Sequence, residues 1–152
     1  MKLDEMLTNR HIPFERLHHR TAYTANRIAQ ALHVPGKEMA KTVLLRTGQG
    51  YALAVLPASH RVDMDQVRRD LGDEQVEMGT EEEMDRLFPD CERGAMPPFG
   101  SLYHLPTLVD ESLTKDEQIV FEAQNHEEAI RMTYRDYEAV EHPRKGHFAQ
   151  HI

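Results

Sequence analysis

Lys41 stands at the mouth of an apolar, β-branched run, Ala40-Lys41-Thr42-Val43-Leu44-Leu45, and about fifty residues later the chain reads Gly94-Ala95-Met96-Pro97-Pro98-Phe99-Gly100. A strand made from the first segment is buried on both faces. The ammonium at its end is then either held at the rim or aimed into a cavity. The second segment is built from residues that free or restrict the backbone. Gly94 and Gly100 allow positive φ or close approach, while Pro97 and Pro98 fix φ and remove two N–H donors. Such a loop presents carbonyl oxygens on a stiff frame. A cation facing it would make a pocket for a polar ligand, with backbone dipoles and one ammonium as its chemical tools.

Other residue types point elsewhere and carry less. Ten histidines invite a metal reading. Yet His142, His147 and His151 lie in a tail with Pro143 and Gly146 that offers no single rigid face, and His18-His19 on a strand would point to opposite sides. Neither His-Glu-x-x-His nor Cys-x-x-Cys occurs, so no metal and no cofactor are expected. His126 follows the apolar stretch at Phe121 and is a candidate to face a cavity there. Cys91 has no nucleophile context and reads as a small, buried or half-buried loop residue. No Gly-x-Ser-x-Gly elbow occurs. Glu81-Glu82-Glu83 reads as a helix start, where carboxylates meet the positive end of the dipole, and Asp110 reads as structural.

The elements that must position these residues follow from local signals. Leu3, Met6 and Leu7 predict a helix over Lys2 to Arg10, stopped by Ile12-Pro13-Phe14, with an extended stretch through Leu17. Thr24 caps a second helix with Ala25, Ile28, Ala29 and Leu32 on one face, ended by Pro35-Gly36. Met39 to Arg46 and Tyr51 to Leu56 form a β-hairpin across Gly48-Gln49-Gly50. Asp63 opens a third helix closing at Gly72. Val76 to Met78 is a short strand, and Thr80 with Glu83 makes a capping box for a fourth helix to about Leu87. Strands at Thr107 to Val109, Ile119 to Ala123 and Ile130 to Thr133 precede a closing helix over Tyr134 to Val140. From about residue 141 the tail is expected to be loose. The order gives a single α+β domain over residues 1–152, with a twisted mixed, largely antiparallel sheet flanked by helices.

Composition bounds the function. With 152 residues and 39% hydrophobic side chains the chain supports one core. No run approaches the roughly 18 apolar residues of a membrane span, the first residues carry no secretory h-region, and one cysteine fits a reducing cytoplasm. Eighteen basic against 26 acidic residues, a formal −8, argue against a protein that neutralises many phosphates and against DNA binding. A grip on one end of an RNA, needing one or two cations, remains open.

Several of these segments together resemble the YbaK-like, trans-acting aminoacyl-tRNA deacylases, relatives of the editing domain of bacterial prolyl-tRNA synthetase. The matching pieces are Lys41-Thr42-Val43, the Gly-x-x-x-Pro loop from Gly94 to Pro98 with Phe99-Gly100, Ala54 to Pro57 with Ala58-Ser59, Val109 to Leu113, and Phe121-Glu122-Ala123. They run in order from about His19 to Val140. The resemblance implies a twisted mixed sheet flanked by helices and a substrate at the aminoacyl-tRNA 3′ end. In it Lys41 anchors the terminal nucleotide, and Gly94 in its stiff loop holds the ester or water. No protein nucleophile is used, and the substrate's own ribose hydroxyl assists. His19 borders the pocket in relatives, and Pro98, Phe99, Gly100 and His126 complete the expected substrate contacts. Relatives commonly carry glycine where this chain has Gln124, which bears on the shape of the amino-acid pocket. The expectation is therefore an editing hydrolase for a small amino acid, acting alone or with an aminoacyl-tRNA synthetase. The alternatives are a non-catalytic binding module with a degenerate pocket and a hydrolase of another small ester or amide.

Overall fold

A computed structural model of the chain describes residues 2–151. The hairpin at its centre joins β2 (Ala40–Thr47) to β3 (Gly50–Pro57), paired antiparallel from Ala40↔Pro57 to Thr47↔Gly50. β3 is buried from Ala52 through Pro57, which its sequence of alanine, leucine and valine permits on both faces. β5 (Glu77–Met78) extends the sheet antiparallel beyond β2. On the other side β6 (Thr107–Asp110) runs parallel to β3, and β9 (Arg144–Gly146) runs parallel to β6, giving the order β5-β2-β3-β6-β9.

A second, antiparallel sheet has the order β1-β8-β7, from Glu15–His18, Glu128–Thr133 and Gln118–Glu122. The two sheets are joined by a single parallel bridge between Met39 and Val120, backed by the Val120 N–H donating to the Glu38 carbonyl at 2.9 Å. β4 (His60–Val62) pairs antiparallel with β10 (Ala149–His151). The fold is thus the expected α+β class, with the strands divided among three sheets.

The helices are set by caps that the sequence shows. α2 (Ala25–Leu32) is capped by Thr24, α3 (Met64–Leu71) by Asp63 and Gly72, α4 (Glu81–Leu87) by a full Thr80–Glu83 capping box, and α5 (Tyr134–Glu141) by Thr133. Each N-cap contributes about 1 kcal/mol. α1 (Lys2–Asn9) buries Leu3 and Leu7 in a cluster with Val55, Phe99, Phe121, Ile130 and Tyr137. α2 buries Ile28 and Ala29 against Met39, Ala58, Val120 and Ala129. That second helix ends earlier than Pro35-Gly36 suggested, because His33 takes a left-handed conformation (φ +56) and closes it.

The tail corrects a further expectation. Among the described residues the tail after Glu141 holds two paired strands, β9 and β10, and is not loose. Phe148 is fully buried among Leu45, Leu56, Val67 and Leu108. The Phe148 and Ala149 N–H groups donate to Asp110 Oδ1 at 2.9 and 2.8 Å. Three-residue strands show no periodicity, and their partners are distant in sequence, so local patterning does not reveal them. Among the described residues no helix is long and apolar enough to cross a membrane.

Candidate functional site

Lys41 is the second residue of β2, paired with Leu56; Ala40 before it is buried and Thr42 after it is partly exposed. The ammonium is half-buried, and that burial lowers its pKa. No hydrogen bond or ion pair from it to the protein is formed among the described residues. It opens into a cleft of about 250 Å³ lined by Tyr23, Thr24, Ala25, Lys41, Thr42, Ala58, Gly94 and Glu122, with Asn26 at the edge. The amino-terminal end of α2, the positive end of its dipole, borders the same space. Tyr23 stands at the mouth, 73% exposed.

Gly94 reaches the cleft because of its backbone. Its φ of +84 is one that a side chain would strain. His126 holds the loop there from below. Its Nε2 lies 2.7 Å from the Arg93 carbonyl, and its N–H donates to Glu92 Oε1 at 3.2 Å. The far end of the loop is held by α5: the Tyr137 hydroxyl donates to the Pro98 carbonyl at 2.8 Å. The Gly100 N–H donates to Thr107 Oγ1 at 3.0 Å, and Thr107 donates on to Glu141 at 2.6 Å. A Cβ on Gly100 would meet the Leu105 carbonyl oxygen at 2.5 Å, so glycine there answers a close approach.

These contacts sort the expected site residues. Lys41 and Gly94 are brought together at one cleft. His126 lies immediately behind it, with only 6% of its side chain exposed. Pro98, Phe99 and Gly100 are buried supports of the loop where substrate contacts were expected. Phe99 packs edge-on to Phe121 and Tyr137 at 5.6 and 5.1 Å, and none of the three lines the cleft. His19 also stands off the lining; its Nδ1 is 2.7 Å from the Arg20 carbonyl and its backbone N–H bonds Glu127.

The residue that sequence reasoning missed is Glu122, although it lay inside a quoted match. It ends β7 one step past Phe121, on the face that Val120 uses to pack against α2. A carboxylate at an otherwise apolar strand position breaks the local pattern, and that break was the available signal. Its side chain is 11% exposed, and Oε1 lies 3.0 Å from His126 Nδ1. The Arg93 carbonyl only accepts, so Nε2 of His126 carries a hydrogen. The facing nitrogen, Nδ1, is the one that meets Glu122. Burial pushes the Glu122 carboxyl up to about 7, with the His126 ring opposing the rise.

Gln124 takes a left-handed backbone conformation. Its φ is +71, and its amide donates to Asp90 at 2.8 Å and Tyr103 at 2.9 Å. The side chain is thereby turned away from the cleft lining. Cys91 joins that same cluster, 3.3 Å from the Tyr103 hydroxyl, and burial pushes its thiol up to about 11, which leaves it unreactive near neutrality. Among the described residues no group of three or more His, Cys, Asp or Glu side chains could hold a metal ion. The tail histidines are dispersed: His147 pairs with Glu111 at 2.8 Å and His151 stacks on His60 at 4.9 Å.

The sequence profile of the aminoacyl-tRNA editing domain matches residues 19–140. The chain belongs to that family. No curated protein matches it. Among solved structures, the hypothetical protein APE2540 superposes with a TM-score of 0.89 at 17% identity, covering 99% of this chain and 100% of that one. A "putative trans-editing enzyme for prolyl tRNA synthetase" superposes with a TM-score of 0.85 at 20% identity, covering 98% and 95%. A scaffold protein used for computational grafting of linear epitopes gives 0.85 at 19% identity, covering 99% and 96%. At these identities the structural likenesses establish the fold.

Proposed function

We propose that this protein is a trans-acting editing hydrolase that cleaves the 3′ ester of tRNA mischarged with a small amino acid. The observation that carries the reading is the half-buried, unpaired Lys41 ammonium sharing one small cleft with Gly94. An ammonium with three donors suits the terminal phosphate or ribose oxygens, and the dipole end of α2 adds to the attraction for an anion. Tyr23 at the mouth offers a flat face on which the terminal base stacks, a contact worth about 1–3 kcal/mol. The Gly94 backbone, kept in place by His126, is preorganised toward the ester and the attacking water. The ribose hydroxyl of the substrate assists, as the family resemblance implies.

The cleft, at about 250 Å³, falls below the roughly 300–1,000 Å³ of drug-sized ligand pockets. Steric exclusion of larger aminoacyl groups therefore suits it, because binding alone separates one methylene by only about 1–3 kcal/mol. The net charge of −8 predicts weak, fast-exchanging tRNA binding, which a partner synthetase would strengthen. Gln124, the feature behind the binding-only alternative, points at Asp90 and Tyr103 and lines none of the cleft.

The test is a deacylation assay on tRNAs charged with alanine, serine, threonine, cysteine and proline, with Lys41→Ala beside the wild type. Turnover of one or two mischarged species, lost in the variant, is the expected result. A folded wild type that hydrolyses none of the five overturns the reading.

A further inference from the structure

The cleft carries two opposite charges, and only one of them has been given work. Lys41 faces the anionic end of a bound tRNA terminus. Glu122 lines the same cleft, and only one of its oxygens is engaged by the protein, in the 3.0 Å contact with His126. His126 is itself fixed at its other nitrogen by the Arg93 carbonyl at 2.7 Å and covered by the edge of Tyr23 at a ring distance of 5.0 Å. The Glu122 side chain is therefore held in one orientation, 11% exposed, and its second oxygen has no hydrogen bond to the described residues. A largely buried carboxylate oriented this firmly is costly to keep unless something with donors meets it.

The aminoacyl ester of a tRNA is the group whose chemistry matches both ends. It has phosphate and ribose oxygens on one side of the scissile ester and an α-amino group on the other, a hydrogen-bond donor whether or not it is protonated. We infer that Glu122 is the specificity residue that accepts from the substrate's free α-amino group, so that the enzyme distinguishes aminoacyl esters from esters lacking that amine. The inference rests on the editing reading of the same cleft. Glu122 binds; it does not attack. His126 acts through it as a positioning residue that also fixes the Gly94 loop.

The experiment compares each charged tRNA that the wild type deacylates with its α-hydroxy counterpart, made by nitrous acid deamination, such as lactyl-tRNA from alanyl-tRNA. The two esters have nearly the same shape and differ in the amine. Rates are divided by each ester's spontaneous hydrolysis, and wild type is run beside Glu122→Gln, with a thermal melt to confirm folding. The wild type is expected to prefer the amine-bearing ester at least about 10-fold in kcat/KM, consistent with exchanging an ammonium paired to the carboxylate for a hydroxyl that still donates but carries no charge. In Glu122→Gln that preference collapses toward unity through a raised KM for the aminoacyl ester, while the α-hydroxy ester is cleaved within about twofold of the wild-type rate. Equal wild-type turnover of both esters overturns the inference and leaves the editing function standing. A folded Glu122→Gln that loses both activities equally also overturns it, because Glu122 would then serve the reaction and not the amine. Absence of wild-type turnover on every charged tRNA overturns the editing reading, and this inference with it.

Discussion

Asp110 and Glu141 on one side of the molecule, and Glu122 at the cleft, are three carboxylates in two environments. Asp110 and Glu141 lie on the α5 and tail side and are saturated. Asp110 accepts from the Ser112 N–H and hydroxyl and from the Phe148 and Ala149 N–H groups. Glu141 accepts from the Ser101 N–H and hydroxyl and from Thr107. Glu122, at the cleft, has a single side-chain partner and one oxygen without any. Most buried polar groups are hydrogen-bonded. Although Asp116 and Glu128 also keep a buried oxygen without a hydrogen bond, among the described residues only Glu122 leaves an oxygen unbonded while lining the cleft that holds Lys41.

The largest way to break this contrast is Glu141→Ala, which strands three donors at Ser101 and Thr107. It is expected to lose about 3 kcal/mol of unfolding free energy, read as a lower urea midpoint at unchanged slope. A loss under about 1 kcal/mol would mean that water replaces the carboxylate and that α5 does not hold the loop. Lys41→Ala should do the opposite. Deacylation falls about 100-fold, or about 2.7 kcal/mol in the barrier, while the melting temperature stays within about 2 °C. A variant that retained activity would remove Lys41 from the site.

Glu122→Gln separates the two environments by sign. Folding raises this carboxyl from its ordinary 4.5 to about 7, so between those values the folded protein holds a proton that the unfolded chain has released. Stability therefore falls as pH rises through that window. Glu122→Gln removes this cost, and above pH 7 it should be more stable than wild type by on the order of 1–2 kcal/mol, the gap closing toward pH 4.5. Equal pH profiles for the two proteins would mean that the cleft does not raise this carboxyl. Gly94→Ala strains a φ of +84 and should cost about 1 kcal/mol in stability, with a larger fractional loss of turnover than of stability. The smallest effect is expected at Gln124→Gly. Relief of the left-handed backbone, about 1 kcal/mol, offsets the lost bonds to Asp90 and Tyr103, and deacylation stays within twofold. A tenfold change in rate would show that this side chain shapes the cleft after all.

Much of the framework was readable because its causes are local. Thr24, Asp63 and Thr80 cap helices through bonds to residues three positions on, and the β2–β3 hairpin closes over a turn between neighbouring strands. Lys41 and Gly94 stood out for the same reason, one as a charge at the start of an apolar strand and the other as a backbone free of a side chain, and the fold sets both on one cleft. Three features were decided by the tertiary structure. A Gly/Pro loop looks the same in sequence whether its far end meets a ligand or the core; Tyr137 and Glu141, about forty residues away, settle that Pro98, Phe99 and Gly100 are supports. The tail gains its order from Asp110 and β6, partners that no local pattern announces. Glu122 acquires its meaning from His126, the Arg93 carbonyl and Lys41, brought together only when the two sheets join at the Met39–Val120 bridge. The sequence by itself determined which segments are helices and strands and which residues could bear charge or strain. Which of those residues share a cleft depended on long-range packing, because proximity across two sheets is a property of no single segment.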